Sequence, residues 1–162
     1  MEIEAIQHLQ KVLHMKYFAA GKCMPLTVRG DSMLPSIQNG DAIAIQKCEM
    51  YEPGDVLVFW YEGELLVHRM VRKEVDGNLC KGDHSFRLER VRTECIIGKV
   101  VCCRGQALQQ PSDALIQLSL RVGLRYQQGD LDQNALKKTQ LYAAYQNELD
   151  RLFRGPQQEN LR

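Results

Sequence analysis

The chain has 162 residues, enough to bury one hydrophobic core and to carry a short extension. Its 21 lysines and arginines are balanced by 20 aspartates and glutamates, so the formal net charge of +1 argues against binding to the phosphate backbone of a nucleic acid. The apolar runs are too short to span a bilayer, and no secretory signal pattern is present. We therefore expect a soluble, cytoplasmic protein without a transmembrane anchor.

The six cysteines predict neither a disulfide framework nor a metal site. Several of them lie within apolar, strand-like runs, and their spacing matches no zinc-binding motif. Without a secretion signal, reduced and buried thiols are expected. No metal or other cofactor is predicted. The cysteines are Cys23, Cys48, Cys80, Cys95, Cys102 and Cys103.

Residues 2–18 place apolar side chains at helical spacing, with polar residues between them. This pattern predicts an amphipathic helix that ends at Ala19-Ala20-Gly21, and residues 1–21 are treated as a separate segment. Its apolar face packs on the rest of the domain or, alternatively, docks on a membrane surface or a partner protein.

Between Met24 and about Gly105, short apolar runs rich in Val, Ile and aromatic residues alternate with Gly-Asp turns. This alternation predicts a compact, mainly antiparallel β domain over residues 22–106. Asp76-Gly77-Asn78 is a strong hairpin signal, whereas the charged segment 81–93 is predicted to be a long loop. The predicted strands are 42–46, 56–61, 64–71, 78–81 and 96–104.

Residues 107–162 are predicted to form a helical extension. Ser112 or Asp113 can cap a helix through about Gln127. The apolar residues in this stretch also alternate as in a strand, but helix is favoured. A clearer helical pattern covers residues 131–154, and Gly155-Pro156 is expected to end that helix.

One serine in the β region lies within a short motif suited to a nucleophile. Ser32 follows Gly30-Asp31 and precedes Pro35, so a tight turn could expose its hydroxyl beside free backbone N–H groups. Further short motifs follow in a fixed order along the chain: Gly40-Asp41, 53–56 (PGDV), 67–71 (VHRMV), 81–84 (KGDH) and 97–100 (IGKV).

This ordered set, which covers about residues 24–104, resembles type I signal peptidases of the endoplasmic-reticulum and archaeal type. These enzymes have a histidine where the bacterial enzymes have a lysine. The motif around Ser32 also resembles that of the self-cleaving repressors of the bacterial SOS response. The resemblance implies an antiparallel β fold of the kind shared by signal peptidases and SOS repressors.

The resemblance also assigns catalytic roles. Ser32 matches the nucleophile that would form an acyl-enzyme, and His68 matches the general base. Either Asp83 or Glu89 would orient His68, and the sequence leaves the choice between the two acids open. Histidine side chains titrate near neutral pH, so a histidine base is expected to work without the strongly alkaline solution that a lysine base would require.

The resemblance further implies how a substrate would bind. Signal peptidases often carry a hydroxyl two residues before the nucleophile, where this chain has Gly30, so backbone N–H groups near Ser32 are expected to form the oxyanion hole. Met33 and Leu34 are expected to line an apolar groove. The substrate, a precursor peptide or protein, is expected to bind as an added extended strand.

Two functions are consistent with these features. The first is a soluble serine endopeptidase that removes a leader or signal-like peptide from a specific precursor. The second is a self-cleaving or purely binding regulatory module of the SOS-repressor type. Ala20-Gly21 is the kind of small dipeptide that such repressors cut, but only about a dozen residues separate it from Ser32, which leaves little chain to fold back.

Overall fold

The computed structural model describes residues 2–154, and it begins with the predicted amphipathic helix. Helix α1 spans Glu2–Lys16 and is followed by a 3-10 turn, Phe18–Ala20. Gly21 ends this turn with a φ of +69°, a left-handed conformation that favours glycine. The expected stop at Gly155-Pro156 lies outside the described residues.

Within residues 2–154, eight strands form one antiparallel sheet with the order β1-β2-β7-β3-β4-β5-β6, and β8 pairs with β7. The predicted mainly antiparallel β fold, with helices at both ends, is confirmed. The strands are β1 Met24–Thr27, β2 Ala42–Gln46, β3 Val56–Tyr61, β4 Glu64–Glu74, β5 Gly77–Lys81, β6 Glu89–Val91, β7 Ile96–Cys103 and β8 Gln106–Ala107.

The segment 81–93 differs from the predicted loop because it contains β6, which pairs with β5. Glu89 and Val91 point inwards and are buried, whereas Arg90 between them is exposed. A strand of three residues is too short to give a clear alternating pattern in the sequence. The predicted hairpin at Asp76 does join β4 to β5.

Three helices follow the sheet in the described part of the chain. Helix α2 spans Asp113–Gln127 and is capped by Ser112, whose Oγ accepts a hydrogen bond from Leu115 N at 3.0 Å. The helix prediction is therefore confirmed over the strand alternative. The single helix predicted for 131–154 is instead two, α3 (Gln133–Lys137) and α4 (Gln140–Arg154). Thr139 separates them, and its Oγ1 accepts a hydrogen bond from Tyr142 N at the start of α4.

The helices pack on the sheet through their apolar faces. On α1, Ile6 is buried, and Leu9 and Leu13 contact the core that also contains Met33. Helix α2 covers part of β4 and β5, and α4 packs on α2. Within residues 2–154, no helix combines the length and apolarity needed to cross a bilayer. The six cysteines are all unpaired thiols, but only Cys80 and Cys103 are buried.

Candidate active site

Ser32 lies on the turn that joins β1 to β2, and this turn is held by backbone hydrogen bonds at both ends. Gly40 N donates to Val28 O at 2.8 Å, and Ile37 N donates to Met33 O at 2.9 Å. Gly30 has a φ of +92°, which explains the glycine at this position. The turn leaves Ser32 half-buried at the edge of the core.

His68 lies on β4 with its imidazole directed at the serine. Its Nε2 is 3.0 Å from Ser32 Oγ, within hydrogen-bond distance. The residue is only 5% exposed, and the edge of its ring packs against Phe59, with ring centroids 6.1 Å apart. A base and a nucleophile at this separation are positioned for proton transfer, and burial restricts the orientations that the imidazole can adopt.

Glu89 lies on the other side of the imidazole. Its Oε1 is 2.9 Å from His68 Nδ1, and the Glu89 side chain is 1% exposed. Among residues 2–154, His68 Nδ1 has no hydrogen-bond partner of good geometry, so the contact with Glu89 is a close approach and not a well-formed hydrogen bond. Glu89 Oε2 has no hydrogen-bond partner among residues 2–154. The carboxylate therefore has spare accepting capacity next to the ring.

Asp83, the other predicted orienting acid, contacts Arg69 instead. Arg69 Nε donates to Asp83 Oδ1 at 2.9 Å and Arg69 Nη2 donates to Oδ2 at 2.8 Å, a buried bidentate pair. Ser36 Oγ adds a third hydrogen bond at 3.0 Å. Burial raises the pKa of Asp83, but the charge and hydrogen bonds of Arg69 lower it. The charge of Lys81 and the hydrogen bond from Ser36 lower it further, so that the pKa lies below its ordinary value.

The surroundings of Ser32 fit only part of the predicted substrate site. Within the described chain, the backbone N–H groups of Ser32 and Met33 donate no hydrogen bond, so both are free for an oxyanion. The Met33 side chain is not at the surface. It is 2% exposed, and its Sδ accepts a hydrogen bond from Asp83 N at 3.4 Å. In this conformation the Met33 side chain is packed in the core and does not line a groove, whereas Leu34 is half-buried and accessible.

Three further residues surround the site, and the sequence prediction gave them no role: Arg69, Lys81 and Tyr145. All three are buried, and burial lowers the pKa of Lys81 to about 7. A signal for Arg69 and Lys81 was present in the sequence, because cations within apolar strands require buried partners. Tyr145 lies within the segment 131–154 that the sequence predicts to be helical, but the partner of its hydroxyl could not be predicted.

A serine, a histidine and a carboxylate in line, next to free backbone N–H groups, form the arrangement that serine hydrolases use for acyl transfer. Residues 1–101 match the Peptidase S24-like family, and the chain belongs to this family. The match includes Ser32, His68 and Glu89 and ends before α2. The resemblance stated from the motifs is thus supported at the level of this family.

The chain is also similar to two curated repressors. It is 32% identical over 88 residues to the LexA repressor of Carboxydothermus hydrogenoformans, covering 52% of this chain and 43% of that protein. It is 31% identical over 102 residues to the LexA repressor of Magnetococcus marinus, covering 60% of this chain and 44% of that protein. The aligned region thus spans less than half of each relative. These similarities favour the regulatory alternative over leader cleavage.

Proposed function

We propose that the chain is a serine peptidase that works through an acyl-enzyme, with Ser32 as nucleophile, His68 as general base and Glu89 as the acid that orients His68. The observation that carries this proposal is the continuous line of contacts from Ser32 Oγ to His68 Nε2 at 3.0 Å and from His68 Nδ1 to Glu89 Oε1 at 2.9 Å. Asp83 is proposed to stabilise the site through its ion pair with Arg69 and not to contact the His68 ring.

In the first step, Ser32 Oγ attacks the carbonyl carbon of the substrate while its proton moves to His68 Nε2. The nearby Glu89 carboxylate stabilises the imidazolium that forms, and the Ser32 and Met33 N–H groups stabilise the oxyanion. His68 then gives the proton to the departing amine as the carbon–nitrogen bond breaks. Water, deprotonated by His68, attacks the resulting ester and releases the acid product together with free Ser32.

The substrate is proposed to be an extended peptide that adds to the sheet. Strand β1, which leads into the Ser32 turn, pairs with β2 along one edge, and its other edge pairs with no strand in residues 2–154. Such an edge supplies backbone groups to an incoming strand, and Leu34 would contact a side chain of that strand. A leader or signal-like segment of a separate precursor fits this arrangement.

The second candidate function is regulatory cleavage of the chain itself, and the names of the relatives favour it. One local observation opposes cleavage at Ala20-Gly21. Gly21 N donates to Phe18 O at 3.1 Å and Lys22 N donates to Tyr17 O at 2.9 Å, so this bond lies in a closed turn. A peptidase requires an extended substrate, and the turn must therefore open before this bond could enter the site.

One experiment tests the peptidase proposal and separates the two substrates. Purified wild-type protein and the Ser32→Ala variant are each incubated with a proteome-derived peptide library, and new peptide termini are read by mass spectrometry. The intact mass of each protein is followed in parallel. Library cleavage by wild type alone supports a separate substrate, whereas Ser32-dependent fragments of the protein itself support self-cleavage. Equal behaviour of the two proteins in both assays contradicts the proposal.

A further inference from the structure

The loop of residues 82–85 packs against both the nucleophile, Ser32, and the base, His68. His84 N donates to Ser32 O at 2.8 Å, which fixes the backbone of the nucleophile. Gly82 lies so close that a side-chain carbon added there would be 2.5 Å from Ser32 O and 3.1 Å from His68 Nε2. A shift of this loop would therefore change the separation of Ser32 and His68.

Lys81 and Tyr145 together bind the carbonyl groups of this loop. The Lys81 ammonium donates to Gly82 O at 2.9 Å, to Ser85 O at 2.8 Å and to Tyr145 Oη at 3.0 Å. Tyr145 Oη in turn donates to Asp83 O at 2.7 Å. Each of the three ammonium protons thus has an acceptor. Burial raises the pKa of the Tyr145 hydroxyl, so this hydroxyl keeps the proton that it donates.

Tyr145 reaches the loop from outside the matched part of the chain. It lies on α4, whereas the match to the Peptidase S24-like family ends at residue 101. Tyr145 is 0% exposed and belongs to a separate apolar cluster formed by α2, α3, α4 and Phe86, which directly follows the loop. The C-terminal helices are therefore packed on a core of their own, and within residues 2–154 they contribute one polar group, the Tyr145 hydroxyl, to the loop 82–85.

We infer that Tyr145 is a positioning residue for catalysis: together with Lys81, it holds the loop 82–85 so that Ser32 and His68 stay at reacting distance. This inference rests on the proposed peptidase function, and it gives the C-terminal helices a role in the reaction. Small displacements of catalytic groups are costly, since about 1 Å of misplacement can slow a reaction by on the order of a hundredfold.

The test uses Tyr145→Phe, which removes only the hydroxyl, in the full chain. The matched control is Tyr142→Phe on the same helix, because the Tyr142 hydroxyl makes no hydrogen bond within residues 2–154. The probe is a fluorophosphonate, whose phosphorus is attacked by Ser32 Oγ while fluoride leaves and the serine proton passes to His68. The rate of adduct formation at Ser32 is measured by mass spectrometry at a temperature where circular dichroism shows every variant to be folded.

We expect Tyr145→Phe to lower the labelling rate by roughly ten- to a hundredfold and Tyr142→Phe to leave it unchanged. The amide proton resonance of His84 is measured as well, and it should move in Tyr145→Phe alone because its hydrogen bond to Ser32 O lengthens. A wild-type labelling rate and an unshifted His84 resonance in Tyr145→Phe would overturn the inference. Absence of labelling in wild type counts against the proposed function instead, and the His84 resonance still decides whether the hydroxyl positions the loop.

Discussion

Glu89 Oε1 lies 2.9 Å from His68 Nδ1, although the strands that carry the two residues, β6 and β4, are separated by β5. The register of the sheet explains this contact. Met70 pairs with Cys80, and Cys80 pairs with Glu89, so these three residues share one face of the sheet. His68, two residues before Met70, points to the same face.

The register gives Arg69 the opposite orientation. Arg69 pairs with Lys81 across β4 and β5, and both point to the face on which Asp83 and Tyr145 lie. The two acids that resemblance placed near the base are therefore on different sides of the sheet. Glu89 contacts the imidazole of His68, and Asp83 neutralises the guanidinium of Arg69.

The first prediction concerns the acid next to the base. Glu89→Gln should lower the rate of peptide cleavage by ~10²–10⁴-fold with little change in KM, because a neutral amide stabilises the imidazolium poorly and can favour the wrong tautomer. The rate is measured on a peptide from the library cleaved by wild type. Glu94→Gln, an exposed acid near the same edge, is the control and should behave as wild type. Equal activity of Glu89→Gln and Glu94→Gln would remove Glu89 from the mechanism.

The second prediction concerns the buried ion pair. Asp83→Asn should lower the free energy of unfolding by about 3–5 kcal/mol at pH 7, because it leaves Arg69 buried without a counter-charge. The folded-state pKa of Asp83 is lowered. The higher free energy of unfolding of wild type is therefore present above about pH 4, and it is lost as the pH falls through the folded-state pKa.

Urea denaturation of both proteins at pH 7 and pH 3 measures this difference. Asp76→Asn, an exposed acid at the tip of the β4–β5 hairpin, is the control and should change stability by less than about 0.5 kcal/mol. A stability loss in Asp83→Asn that stays the same at pH 3 would argue that the ionised carboxylate is not what stabilises the fold.

The limits of the sequence are clearest at these two acids. Resemblance could place Asp83 and Glu89 near the base, but the choice between them depends on which face each occupies. That face follows from the register of β4, β5 and β6, and β6 has only three residues. The burial of Met33 could not be predicted from the sequence either, because it follows from the packing of the Ser32 turn on the core and not from the motif.

Other parts of the fold were predictable from local signals. The short apolar runs predicted five of the strands, and Ser112 before an apolar stretch correctly indicated the start of α2. The contact of Tyr145 with the loop 82–85 was not predictable, since it joins residues more than sixty positions apart through the packing of α4.

The third prediction concerns Lys81 and pH. The folded protein releases the Lys81 proton at about pH 7, because burial lowers this pKa, whereas the unfolded chain holds the proton up to about 10.5. The unfolded state thus binds more protons between these values. The unfolding free energy of wild type should therefore rise relative to that of Lys81→Met as the pH rises from 7 to 10, by at most about 1.4 kcal/mol per pH unit.

Chemical denaturation of the two proteins at several pH values measures this difference, and contributions from tyrosines and cysteines shared by both proteins cancel. Only the pH dependence is predicted, since Lys81→Met also removes three hydrogen bonds. A difference that is flat or falls with pH would show that Lys81 keeps its proton in the folded state.

The fourth prediction separates the two residues that follow the nucleophile. Met33→Ala should lower the free energy of unfolding by about 2–5 kcal/mol, because Met33 is buried in the core beneath the turn. Leu34→Ala should cost less stability but raise the KM for a cleaved peptide, because Leu34 is accessible to a substrate. Denaturation curves and steady-state kinetics of the two variants test this contrast, and the reverse pattern would place Met33 in the substrate groove.

The proposed mechanism depends most on covalent catalysis by Ser32 with His68 as base. The direct measurement is the intact mass of the protein after rapid acid quenching of its reaction with a cleaved peptide. We expect a transient adduct on Ser32 with the mass of the amino-terminal product less one water. His68→Ala should form this adduct on the order of a hundredfold more slowly or not at all, and Ser32→Ala should neither form it nor cleave the peptide. Cleavage that proceeds in Ser32→Ala, or that proceeds in wild type with the adduct on another residue, would contradict this mechanism.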